Sequence, residues 1–209
     1  MEDILEVYSR PYDPNRPVVC MDEMNKQCIL EVRSTIPLSS GKPERYDSEY
    51  ERNGSINIFI AVEALKGIRF TEVTDRRTRI DWAFFIKDLV DRYQNAEKIV
   101  LILDNLNTHS AGSLYEAFEP EEARRILDKL EIHYTPKHGS WLNTAEIELS
   151  CLSRQCLNRR IPDKETYERE IAAWTKEKNC LQIGVDWQFK TKTARIKLKR
   201  LYPVQINKA

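Results

Sequence analysis

Residues 99–104 read IVLILD (Ile99-Val100-Leu101-Ile102-Leu103-Asp104), an unbroken apolar run closed by an acid. A run this short, without the alternation of a half-exposed strand, marks a strand buried on both faces. Such a strand lies inside a sheet with helices above and below, which makes the chain an α/β protein. In open α/β sheets functional groups gather at the carboxyl edge of the strands. Asp104 falls there.

The segments on either side extend this reading. Upstream, Trp82, Phe85, Ile86, Leu89, Val90 and Tyr93 draw one apolar stripe and predict a helix over Thr78–Tyr93. Gly54–Val62 alternates as a strand, with Ile56, Ile58, Ile60 and Val62 on one side. Pro17–Asp22 and Gln27–Arg33 predict two further strands, joined as a hairpin through Met24-Asn25-Lys26. The polar segment 37–53 predicts a long loop. Residues 1–16, polar and carrying Pro11 and Pro14, predict an arm or linker outside the core. Downstream, helices are expected at Ser110–Phe118 and Glu121–Leu130, then a strand at Glu131–Thr135 stopped by Pro136. A helix over Leu142–Leu157 has Ala145, Leu149, Leu152 and Cys156 on its apolar face, and Asp163 caps a last long helix. The result is a mixed five-stranded sheet flanked by helices, in the order of an RNase H-like fold. One domain over 17–203 with a tail at 204–209 accommodates it.

Composition narrows the class. With 209 residues, 41% of them hydrophobic, the chain can bury the core of one domain. No apolar run approaches the roughly 18 residues of a membrane span. The first residues lack the basic and apolar regions of a secretory signal. Five cysteines without a CxxC pair exclude a zinc ribbon and a disulfide framework, and fit free thiols in the cytoplasm. Basic and acidic residues balance at 33 each, so overall charge does not point to nucleic acid. Locally it does more. Lys190, Lys192, Arg195, Lys197, Lys199 and Arg200 form an acid-free basic stretch, and Arg154, Arg159 and Arg160 a second group. Either is a solvated face by itself; beside an acidic metal site both become candidate phosphate contacts.

Asp22, like Asp104, ends a predicted strand. Neighbouring carboxylates repel unless a cation compensates them. Mg²⁺ or Mn²⁺ suits such oxygen donors. Two ions about 4 Å apart serve phosphodiester cleavage by stabilising both the attacking and the leaving oxygen. Singly, each Asp is equally a residue that ends a strand or caps the next element.

Three motifs give the acids a common context. Val19-Cys20-Met21-Asp22-Glu23, Asp104-Asn105-Leu106-Asn107-Thr108-His109 and the run from Tyr134-Thr135-Pro136 to Leu142-Asn143-Thr144-Ala145-Glu146 occur in that order. They resemble the first-, second- and third-acid motifs of the mariner superfamily of DDE-type transposases. The tail from Asp186-Trp187 to Leu201-Tyr202-Pro203 is similar to that of its bacterial insertion-sequence branch.

The resemblance implies that Asp22, Asp104 and Glu146 hold two Mg²⁺ (or Mn²⁺) ions. It also implies DNA nicking at transposon ends and attack of the freed 3′-hydroxyl on target DNA, at TA. It implies a homodimer during synapsis and a cytoplasmic, nucleoid-associated site of action. The chain departs from the pattern twice. The interval between the second and third acids is longer than usual, absorbed by the segment near Glu119–Leu130, and the usual Pro before the third acid is absent. Helical periodicity does not separate Glu146 from Glu148; the motif selects Glu146. Glu23 alternates away from Asp22 and is expected at the surface. Asn105, His109, His138 and Asn143 lie inside the motifs as candidates to support the acids, and both histidines equally suit a structural role. Lys137 is a candidate DNA contact, and Trp141 either stacks on a base or joins the core. The sixteen or so residues before the first strand are too few for the helix-turn-helix with which the family reads its terminal repeats. Recognition of ends is therefore expected elsewhere, on a separate domain or polypeptide. Two other classes remain as alternatives: an inactive assembly remnant of a transposase, and a phosphohydrolase with Asp104 as nucleophile.

Overall fold

The computed structural model describes residues 1–34, 36–45, 47–137 and 139–202. Its centre is the five-stranded sheet β3-β2-β1-β4-β5, made of β1 (Val18–Glu31), β2 (Tyr50–Glu63), β3 (Ile68–Thr74), β4 (Ile99–Leu103) and β5 (Leu130–Tyr134). β1, β2 and β3 pair antiparallel, whereas β4 runs parallel to both β1 and β5. This is the RNase H-like arrangement expected.

The helices are α1 (Glu2–Tyr8), α2 (Arg79–Arg92), α3 (Ala111–Ala117), α4 (Pro120–Asp128), α5 (Thr144–Gln155), α6 (Lys164–Leu181) and α7 (Thr191–Lys197). Alternation along the strands divides the core in two. Cys20, Ile58, Ile60, Val100 and Ile102 pack with α1, α5, α6 and α7 on one face. Val19, Met21, Phe59, Leu101 and Leu103 pack with α2, α3 and α4 on the other. All five residues of β4 are buried, as its unbroken apolar run requires. Thr78 and Asp81 form a reciprocal capping box at the start of α2, and Asp163 caps α6 through the Thr166 N–H.

Three expectations fail. The Met24-Asn25-Lys26 hairpin does not form, and β1 is one strand paired with β2 from Val19 opposite Glu63 to Glu31 opposite Tyr50. No Gly supplies the positive φ of a two-residue hairpin turn there, and the Asn25 amide instead donates across to Ile56 O. The early hairpin is β2–β3, turning at Gly67 with φ +70. β3 escaped notice because Arg69, Thr71 and Glu72 break its apolar alternation. Residues 1–16 are not a loose arm throughout. α1 buries Ile4, Leu5 and Val7, and the Tyr8 hydroxyl donates to Leu142 O at 2.6 Å. Residues 203–209 and His138 lie outside the described residues.

Candidate active site

The strand register sets the site. Cys20 lies opposite Ile102, so the same offset brings Asp22 level with Asp104, just past the end of β4. Both have the parity of the strand positions that face α5. Asn143 joins β1 to the start of α5. Its side chain is buried, caps α5 by accepting from Ala145 N–H, and donates to Met21 O at 2.9 Å and Asp22 Oδ2 at 3.3 Å. Glu146 follows in the first turn of α5, where the helix dipole favours a carboxylate.

The second glutamate of this helix is occupied elsewhere. Glu148 is buried and held bidentately by Arg69 of β3, Nε to Oε2 at 2.8 Å and Nη2 to Oε1 at 2.9 Å. Residues two apart on a helix are about 200° apart around its axis. α5 packs over β1 and β2, and Glu148 reaches to the β3 side. Glu146 consequently lies away from Arg69, near enough to Asp22 for its charge to bear on that carboxyl.

Burial drives the Asp22 carboxyl up to about 7. The Glu23 N–H opposes the rise, and the negative charges of Glu23, Asp104 and Glu146 add to it. Asp104 is held below the usual carboxylate range, chiefly by His109, whose Nδ1 stands 2.6 Å from its Oδ1. Burial would lower the His109 pKa, but Asp104 and Glu23 outweigh it and raise it to about 9.

An acid whose folded pKa exceeds its unfolded value near 3.8 binds its proton more tightly when folded. Stability contributed by protonated Asp22 is therefore present at low pH and lost as pH rises from 3.8 to about 7. Denaturant melts of the metal-free chain are expected to show this loss, and Asp22→Asn to flatten it. Parallel pH profiles for the two proteins would remove this account of Asp22.

The donors are hard oxygens on adjacent elements, and the mutual repulsion registered at Asp22 is what a divalent cation relieves. Asp22, Asp104 and Glu146 suit such an ion in the chemistry of their donor atoms. Among the described residues, no three acids, histidines or cysteines yet converge closely enough to grip one.

The other expected residues divide. Asn105 is exposed. His109 is buried and stacked on Trp82, with ring centroids 5.6 Å apart. Trp141 is 40% exposed and meets Phe189 edge to face. Lys137, Arg154, Lys190, Lys192, Lys197, Lys199 and Arg200 are exposed. Three arginines are tied to acids: Arg159 to Glu170, Arg160 to Glu31, and Arg195 bidentately to Glu2. Arg195 thus fastens α7 to α1. Glu23 is buried rather than at the surface. Neither Glu23 nor Arg69 was identified as a site residue from sequence; adjacency to Asp22 was the one local signal for Glu23.

Among the described residues no helix is long and apolar enough to cross a membrane. A family model described as DDE superfamily endonuclease matches residues 17–168. No curated protein sequence matches. Among solved structures, the Mos1 mariner paired end complex with Mn is similar at TM-score 0.58 and 15% identity, over 87% of this chain and 55% of that one. The Mos1 strand transfer complex is similar at TM-score 0.58 and 14% identity, over 87% and 53%. A pre-cleavage Mos1 transpososome is similar at TM-score 0.57 and 13% identity, over 90% and 60%. The chain thus spans little more than half the length of the proteins it matches.

Proposed function

The chain belongs to the DDE superfamily of endonucleases, and on that premise we propose that it is the cutting and joining domain of a transposase. The observation that supports this most is that β1 and β4 bring Asp22 level with Asp104, where the charges of Asp104 and Glu146 bear on Asp22, with Glu148 withdrawn to Arg69. Asp22, Asp104 and Glu146 would hold divalent ions, Mg²⁺ or Mn²⁺. Such ions supply an activated attacking oxygen and stabilise the leaving one.

The protein's own part is placement. β1 and β4 deliver two carboxylates to one sheet edge. Asn143 ties β1 to the start of α5, and α5 brings the third. The exposed cations Lys137, Arg154, Lys190, Lys192, Lys197, Lys199 and Arg200 are proposed to track phosphates. Trp141, exposed just before α5, is proposed to pack on a base. The reading extends to strand transfer at TA targets, a homodimer during synapsis, and end recognition by a separate helix-turn-helix module. The tail pattern supports the bacterial insertion-sequence branch, and with it a cytoplasmic, nucleoid-associated setting.

Mn²⁺-dependent nicking of supercoiled DNA and of a transposon-end duplex tests the proposal, with Asp104→Ala as the control. Nicking that vanishes with the metal and in the variant is expected. Equal nicking by wild type and variant, or none by either, would overturn it. A phospho-aspartate formed from a small phosphate ester would favour the phosphohydrolase alternative.

A further inference from the structure

Glu23 is a buried carboxylate for which strand cleavage, as set out above, has no use. Its side chain is 5% exposed. It shares the parity of Val19 and Met21, which face α2, while Asp22 faces α5. On the α2 side its Oε2 stands 3.2 Å from His109 Nε2. By hydrogen-bond geometry neither atom has a partner among the described residues, so the two meet as an ion-pair contact alone. Arg77 comes only within 3.9 Å, from the exposed rim.

The His109 ring is fixed on three sides. Trp82 stacks on its face, Glu23 meets Nε2, and Asp104 Oδ1 meets Nδ1 at 2.6 Å. The Leu106 N–H donates to that same Oδ1. A buried carboxylate is costly without a partner, and the His109 ring turns one nitrogen to each of the two acids. The contacts therefore run in series through the sheet edge, from one face to the other.

We infer that Glu23 is a positioning residue for DNA cleavage: through His109 it fixes Asp104 from the opposite face of the sheet, holding Oδ1 and presenting Oδ2 to an ion. This rests on Asp104 being a metal ligand, as proposed above. Partners that orient ligating groups typically change metal affinity by about 10- to 100-fold when lost.

The test is Mn²⁺ binding by titration calorimetry and by electron paramagnetic resonance, independent of turnover. Glu23→Gln keeps the shape and removes the charge. It is expected to weaken Mn²⁺ binding roughly 10-fold or more while melting close to wild type. Glu23→Asp, which restores the charge, is expected to recover part of the loss. The double variant with His109→Asn is expected to bind no more weakly than His109→Asn alone, because the two residues act in series. Wild-type affinity in Glu23→Gln overturns the inference, as do independent, additive losses in the double variant. If Glu23→Gln does not fold, the Glu23→Asp and His109→Asn proteins carry the same comparison. Asp104→Ala separates the two levels: undiminished Mn²⁺ binding there refutes the metal-site reading itself. Weakened binding in Asp104→Ala beside normal binding in Glu23→Gln refutes the positioning role alone.

Discussion

Arg69→Ala is expected to destabilise the fold by about 3–5 kcal/mol, the usual cost of leaving one charge of a buried pair without its partner. Arg69 and Glu148 expose only 5% and 11% of their side chains. The guanidinium also donates to Gly67 O at 2.7 Å and to Ile183 O at 3.3 Å. Asn179 of α6 closes around the Arg69 backbone, accepting from its N–H and donating to its C=O, both at 2.8 Å. One residue of an edge strand thus fastens α5, α6 and the segment after α6. For a chain of this length the loss corresponds to a melting point lower by roughly 10 °C. Arg69→Met combined with Glu148→Leu removes both charges and is expected to recover most of it, since an apolar pair of similar volume is often neutral or better. Denaturant melts of the singles and the double measure this. If both single variants lie within about 0.5 kcal/mol of wild type, the range ordinary for surface substitutions, the clamp does not hold α5.

The clamp also marks where sequence reading ends. β4 was legible because a strand buried on both faces has no choice but to be apolar throughout. α2 and α6 were legible because stripe and cap are local. β3 was not. Its inward Arg69 looks like a surface residue until Glu148, 79 positions away, is brought to it. α1 was missed because its buried residues are too few for a period to emerge, and its anchors, Leu142 and Glu2–Arg195, are distant in sequence. Residues 24–26 misled by their polarity. Polarity alone does not turn a strand when the backbone is paired through it, as residues 24–26 of β1 are with Ile58, Asn57 and Ile56 of β2. At the site, Asp104 could be read from the end of β4, whereas the strand end expected at Asp22 does not exist, because β1 continues through it, opposite Ile60, to Glu31. The choice between Glu146 and Glu148 could not be read, because both flank the apolar stripe and only the position of β3 separates them. Glu23 was placed on the correct face by alternation, but its burial depends on His109 and Trp82 closing over it.

That choice yields one of the largest effects expected of a single substitution. Glu146→Gln is expected to lower Mn²⁺-dependent DNA cleavage by about 10³-fold, the rate equivalent of roughly 4 kcal/mol of lost transition-state stabilisation, and to leave melting near wild type. Glu148→Gln is expected to behave oppositely, melting lower while retaining most of its activity per folded molecule. Asp22→Asn sharpens the contrast. It removes a carboxylate whose burial raises its pKa to about 7, so the metal-free variant should be more stable than wild type at and above neutral pH, yet as inactive as Glu146→Gln. A residue that costs stability without metal and is indispensable with it has a function other than packing. Cleavage assays paired with melts on the same preparations decide the matter. Loss of activity confined to Glu148→Gln, with Glu146→Gln fully active, would transfer the third acid to Glu148 and reverse the role assigned to Arg69.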